Sequence, residues 1–205
     1  FTRDLDLRSF KYTGDTQLPL AWITEYAWKV RDDRQPAFIL PGIGQIIGGP
    51  SGFVFNPSSS MGEKYDDKFF VIIYKGSLNQ SYISMFNVEE DGASYKMVNT
   101  QTYFRGSNCV DIDFGPDGKL YFSDFNYGGW LNQDVGNIYT LEVPGEIDDA
   151  EVHENGSLLL SDFSRKSIAE LTRLLDRDHQ HIRQKSQFEL AKRGPAGAGA
   201  LTRSA

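Results

Sequence analysis

Val110-Asp111-Ile112-Asp113-Phe114-Gly115-Pro116-Asp117-Gly118-Lys119-Leu120-Tyr121-Phe122-Ser123-Asp124 is the stretch on which the fold turns. Its first five residues alternate apolar and acidic at a period of two, as in a strand with one buried face. Gly115-Pro116-Asp117-Gly118 supplies the turn: Pro fixes φ, Asp bonds nearby backbone and Gly accepts the left-handed region. Leu120-Tyr121-Phe122 then reads as the returning strand, so the stretch is a β-hairpin.

Working outward, Asn137-Ile138-Tyr139-Thr140-Leu141 is a third strand, closed off by Pro144 and Gly145. Upstream, Gly52-Phe53-Val54-Phe55 precedes the apolar run Phe69-Phe70-Val71-Ile72-Ile73-Tyr74. A run this short, bounded by Asp67-Lys68 and Lys75-Gly76, fits a strand buried on both faces better than a helix. Tyr82–Val88 and Tyr95–Val98 follow, separated by the turn signal Glu90-Asp91-Gly92. Short strands recurring in units of roughly 40–55 residues are expected of a β-propeller. Residues 1–142 are therefore predicted to hold about two four-stranded blades, at about 48–104 and 105–142, the second showing three strands. Residues 1–45 add strand-like pieces such as Tyr26-Ala27-Trp28-Lys29-Val30. Two blades cannot close a ring, which needs at least about four, so the chain is expected to be a piece of a larger protein.

The tail changes character. Of the 27 aromatics in the 205 residues, only Phe163 and Phe188 lie beyond residue 150, and the net charge of −7 divides into an acidic front and a slightly basic tail. Ile168, Leu171, Leu174 and Leu175 share one helical face, capped by Ser164 or Ser167. Ile182, Ser186, Leu190 and Ala191 mark a second helix, ended by Gly194-Pro195. Residues 143–160 read as a linker and 161–205 as a truncated first α-helical repeat. The fold class that follows is mainly β: a partial β-propeller and then a short helical hairpin.

The acidic balance argues against broad nucleic-acid binding, which needs clustered Lys and Arg. No apolar run reaches the ~20 residues of a helical membrane span. One cysteine, Cys109, excludes an internal disulfide framework and a multi-cysteine zinc site. It reads as a packed thiol. Asp111-x-Asp113 is not an EF-hand, because position six is Pro116 and position twelve Phe122. Gly42-Ile43-Gly44-Gln45-Ile46-Ile47-Gly48 misses the dinucleotide fingerprint by one residue, and Gly49-Pro50 blocks the helix that would follow. Asn79-Gln80-Ser81 and Asn155-Gly156-Ser157 fit glycosylation acceptors, which have meaning only in a eukaryotic secretory host.

Gly49-Pro50-Ser51-Gly52-Phe53, the run ending Tyr74-Lys75-Gly76, the hairpin Val110–Asp124 and Gly136-Asn137-Ile138-Tyr139 occur in an order and spacing that resembles the PQQ-dependent glucose/sorbosone dehydrogenase family, specifically the last two blades of its six-bladed propeller. The tail, with Ile182-Arg183 and Phe188-Glu189-Leu190-Ala191-Lys192-Arg193-Gly194, resembles a HEAT repeat. The combination is similar to large exported bacterial proteins that join such a propeller to HEAT repeats and a c-type cytochrome. The resemblance implies a periplasmic or secreted sugar or alcohol dehydrogenase using PQQ and Ca2+, with electrons passed to a cytochrome partner and haem c outside this chain. A histidine base takes the substrate proton as hydride leaves.

The resemblance also implies a site at one end of the blades, in the loops Gly44–Ser51, Lys75–Gln80, Phe104–Cys109 and Asp124–Asp134. Lys75 occupies the position of a family lysine that contacts the quinone. The next loop carries arginines in the family and here reads Ser107-Asn108-Cys109, with Arg105 just ahead. Arg105 and Asn108 are accordingly candidate cofactor contacts. Asn126-Tyr127-Gly128-Gly129-Trp130 suits stacking on a sugar or quinone, or else Trp130 folds back on the blade. Asp111 and Asp113 are either cation or cofactor contacts or strand carboxylates facing water. The family's histidine base belongs to an earlier blade, and His153, His179 and His181 do not replace it; residues 1–205 are expected to be inactive alone. The competing reading is a non-catalytic propeller that binds a glycan or protein beside a HEAT scaffold.

Overall fold

The computed structural model describes residues 43–44, 46–58, 60–125 and 135–204. Contacts divide the chain into one unit of Phe1–Gln45 with Glu90–Lys96 and another of Ile46–Glu89 with Met97–Ala205. In the first, the described part is Ile43, Gly44 and a hairpin tip turning at Gly92. Tyr26–Val30 lie outside the described residues.

Among the described residues, seven strands form two antiparallel sheets. The first joins β1 (Gly49–Phe55), β2 (Phe69–Tyr74), β3 (Tyr82–Asp91) and β4 (Ser94–Arg105) in that order; the second joins β5 (Cys109–Phe114), β6 (Leu120–Asp124) and β7 (Asn137–Leu141). Each is an up-and-down meander whose neighbours in sequence are neighbours in the sheet. The hairpin of residues 110–124 folds as β5 and β6, with Ile112 opposite Phe122 and Phe114 opposite Leu120.

Period-two alternation decides the packing. Phe70 and Ile72 of β2 and Ile83 and Met85 of β3 bury one face of the first sheet against Ile112, Phe114, Leu120 and Phe122 of the second. Val71 and Ile73 point the other way and are buried with Phe86, Tyr82 and Ile46. β2 is therefore buried on both faces, as its uninterrupted apolar run requires. On that second face Phe53, Phe69 and Phe86 stack in a ladder, with centroids 5.5 and 5.4 Å apart along it. The sheets meet closely where β1 passes β5: a Cβ on Gly52 would stand 2.9 Å from Asp111 Cα and from Ile112 N. Only glycine permits that approach. The second sheet's other face is open, with Asp111 and Asp113 exposed.

Four helices follow: α1 (Ala150–Leu160), α2 (Ile168–Leu174), α3 (Gln180–Lys192) and α4 (Pro195–Ser204). The described residues are thus mixed in class, two antiparallel sheets followed by helices, rather than mainly β. Two stretches make the difference. Residues 150–160, read from sequence within a linker, are helical because Asp149 caps them and Gly156 lets the helix lie against the β5–β6 turn, where a Cβ would meet Pro116 O at 2.5 Å. Residues 195–204 are helical because Pro195 starts a first turn well and Ala200 buries against α3. The helix at 168 starts at Ser167, not Ser164, through a reciprocal capping box with Glu170. Leu171, Ile182 and Leu190 form the core of the helical part with Phe163 and Ala200. The helices dock on the strands through the N–H of Gln180, which donates to Pro57 O at 2.8 Å.

Candidate functional site

Both sheets run so that β2, β4 and β6 end, and β3 and β5 begin, at one common end. Lys75 follows β2, Arg105 closes β4 and Asn108 precedes β5. Gly48, just before β1, lies there too: a Cβ on it would be 3.2 Å from Lys75 Cε. Topology thus collects the described turns Lys75–Gln80 and Phe104–Cys109 with the start of β1, while residues 126–134 of the fourth loop lie outside the described residues.

Tyr82 is the centre of this end. It opens β3 opposite Ile73, one residue short of the end of β2, so chain geometry brings Lys75 beside its ring. Lys75 Nζ lies 5.5 Å and the Arg105 guanidinium carbon 4.6 Å from the Tyr82 centroid. Both cations are exposed while Tyr82 is half-buried. Each contact is worth roughly 0.5–1 kcal/mol at an exposed site. That offsets part of the repulsion of holding two like charges around one ring. Arg105 also donates to Thr102 Oγ1 at 3.2 Å, which fixes its direction along β4.

Beneath the pair runs a buried polar frame. The Lys75 N–H donates to Ser81 Oγ at 3.0 Å, and the Ser81 hydroxyl donates to Asn108 Oδ1 at 3.0 Å. The Asn108 N–H donates to the Asp124 carboxylate at 3.1 Å, and the Phe125 N–H donates back to Asn108 O at 3.0 Å. Ser81 and Asn108 are fully buried and Asp124 nearly so. Buried polar groups of this kind hold geometry because leaving one unmade costs about 1–3 kcal/mol. Asn108, a candidate contact by sequence, is in fact a strut: its carbonyl is turned inward to Ser81 rather than out toward a ligand. The neighbouring Cys109 thiol is buried and pushed up to about 11, chiefly by desolvation, so it is a packed thiol at neutral pH.

Lys75, Arg105 and Asn108 therefore converge, two as surface cations and one as their support. Trp130, with the whole segment 126–134, lies outside the described residues. Asp111 and Asp113 do not join this group. They face the open side of the second sheet, each with its Oδ1 accepting the N–H of the next residue, at 3.0 and 2.8 Å. The three histidines lie on α1 and at the start of α3, away from this end. The sequence reading missed Tyr82, Ser81 and Asp124. The cross-strand position of Tyr82, at the mouth of the Lys75 turn, was the available signal.

Among known protein families, curated proteins and solved structures, none matches this chain.

Proposed function

We propose that the Lys75–Arg105 end binds an anionic ligand, and that this ligand is the quinone cofactor PQQ. On this reading the two meanders are adjoining blades of a propeller of the glucose/sorbosone dehydrogenase kind. The protein they serve oxidises a sugar or alcohol and passes electrons to a cytochrome. The observation that carries the reading is the placing of two exposed cations on the one ring of Tyr82. In a chain of net charge −7 such a pair is locally distinct, and it stands at the strand end where the family resemblance puts its lysine.

PQQ supplies the hydride acceptor when bound. The residues of this chain supply attraction and position. Lys75 offers a compact, mobile ammonium and Arg105 a planar fork of donors, both suited to carboxylate and quinone oxygens. The Ser81–Asn108–Asp124 frame keeps the two turns that carry them at a fixed separation. The resemblance also pairs the quinone with Ca2+, which takes oxygen ligands. No group of three or more acidic, imidazole or thiol side chains converges on a metal position among the described residues, so Lys75 and Arg105 are assigned to the quinone alone. With no histidine at this end, the chain binds and orients but moves no substrate proton.

PQQ titration of residues 1–205, with and without Ca2+, tests this through the quinone absorbance. A saturable shift is expected, without dye-linked oxidation of sugars. Absence of any shift removes the cofactor claim; oxidation by this chain alone removes the claim that the base lies elsewhere. One observation favours a second reading, a binding propeller without catalysis. Ser107, Asn108 and Cys109 are all buried in the frame, so that turn presents no ligand-facing side chain where the family carries arginines. Binding of a glycan without any PQQ response would select it.

A further inference from the structure

Among the described residues four strands lie at sheet edges, β1 and β4 in the first sheet and β5 and β7 in the second. An edge offers a row of unpaired N–H and C=O groups to any strand that reaches it. Three of the four carry features that discourage such pairing. β1 has Pro50 and a register shift between Pro50 and Phe53. β4 has the exposed Lys96 and a left-handed kink at Asn99, whose φ is 54°. β5 has a register shift between Cys109 and Asp111 and presents two exposed carboxylates, Asp111 and Asp113. β7 has none of these. Asn137-Ile138-Tyr139-Thr140-Leu141 holds no charge and no proline, and its five residues pair with β6 in unbroken register.

β7 is also exposed along most of its length. Ile138 is 74% exposed on the open face of the sheet. Tyr139 is 43% exposed on the other face, although its ring packs on the buried Phe122 with centroids 5.5 Å apart. Phe104, Phe122 and Tyr139 thus form a row of rings that runs out to this edge. Among the described residues the second sheet has three strands against four in the first. A regular, uncharged, apolar edge of this kind accepts a further strand.

The sequence of β7 says which strand. An antiparallel two-fold pairing of β7 with itself, centred on Tyr139, sets Tyr139 opposite Tyr139, Ile138 opposite Thr140 and Asn137 opposite Leu141. Each residue then meets one from its own face, so the row of rings continues across the axis and Ile138 packs beside the Thr140 methyl. Glu142, the charge that follows the strand, comes opposite Gly136 rather than a like charge, and it is already paired with Lys119. We propose that β7 docks on β7 of a second copy of this chain, joining two three-stranded sheets into one of six strands. The contact is isologous and therefore closes at two copies. Five residue pairs make a small interface, so the dimer is weak, and the net charge of −7 on each copy opposes it. This edge is independent of the quinone reading.

Sedimentation equilibrium of residues 1–205 over about a hundredfold range of concentration tests it. The mass should rise from one chain to two and stop there, and added salt should strengthen the association by screening the net charge. Ile138→Lys/Thr140→Lys sets like charges opposite one another across the axis and should hold the protein at one chain. Both positions are exposed, so its circular dichroism should match that of the unaltered protein. Ile138→Glu/Thr140→Glu should behave in the same way. Mixed in equal amounts, the two variants should associate at least tenfold more tightly than either does alone, because each lysine then faces a glutamate. A single-chain mass of the unaltered protein at every concentration, a mass that climbs past two chains, dimers retained by the separate variants, or no gain on mixing them overturns the proposal.

Discussion

The two ends of the strands carry opposite charge on one scaffold. At one, Lys75 and Arg105 surround Tyr82 above the hydrogen-bonded Ser81–Asn108–Asp124 frame. At the other, Glu63, Glu146, Asp149 and Glu151 line a cavity together with Asn155. Each end leaves its charges exposed and one buried oxygen unpartnered, Ser107 Oγ at the first and Asn155 Oδ1 at the second. The contrast shows that the sheets set positions for both ends, while the segments between the strands decide the charge each presents.

The largest effect on this contrast should come from Gly52→Val, which removes the scaffold common to both ends. Its side chain would collide with backbone of Asp111 and Ile112 rather than with a yielding side chain. A loss of about 3 kcal/mol in urea unfolding is expected, with the PQQ response of the cationic end reduced. A nearly wild-type midpoint would mean that the sheets do not meet at Gly52.

Acid should act next, and on the helical side alone. His179 is buried at the start of α3, and burial, then His181 and Arg183, lower it from 6.5 to about 4. The unfolded chain takes up that proton near pH 6.5 and the folded chain near pH 4. Stability from this group is therefore complete above pH 6.5 and declines as pH falls toward 4, by about 3 kcal/mol. Denaturant titrations across that window should show the decline, and His179→Gln should flatten it. An identical slope in the variant would assign the acid sensitivity elsewhere.

The cationic end should loosen specifically in Asn108→Ala. The Ser81 hydroxyl loses its acceptor, Asn108 Oδ1, for a cost of about 1–3 kcal/mol. Hydrogen exchange should rise at Lys75 and Phe125, whose N–H groups donate into this frame, and stay unchanged in α1. The smallest effect concerns Cys109. With its thiol near 11 and buried, alkylation at pH 8 should proceed only upon unfolding, so folded protein should react far more slowly than protein in urea. Equal rates would contradict a packed thiol.

Strand positions were legible because period-two alternation and turn chemistry are local: β2 as an uninterrupted apolar run, β5 and β6 through Gly115-Pro116-Asp117-Gly118. Their order in two meanders followed from the short turns between them. α1 was hidden because Asn155-Gly156-Ser157 looks like a surface turn or a glycosylation acceptor. Gly156 is there for the close approach of Pro116, and the Asn155 side chain is buried and so unavailable for modification. α4 was hidden for the same reason: Gly197 and Ala200 are small because Leu190 backbone and the helical core lie against them. In the site, Lys75 and Arg105 could be picked by strand position. Asn108 could be picked too, but the direction of its side chain depends on Ser81, 27 residues away. Tyr82 needed the strand register, and the acidic cavity needed two distant segments, 58–63 and 146–155.

The central claim is that Lys75 and Arg105 act together as one anion site. It is tested most directly by the dissociation constant of PQQ for the full chain, set against that for Lys75→Met/Arg105→Met, each at low and moderate salt. The expected result is saturable binding that weakens at least tenfold in the double variant and loses most of its salt dependence there. Equal affinity in the two proteins, or no saturable binding to either, would contradict it.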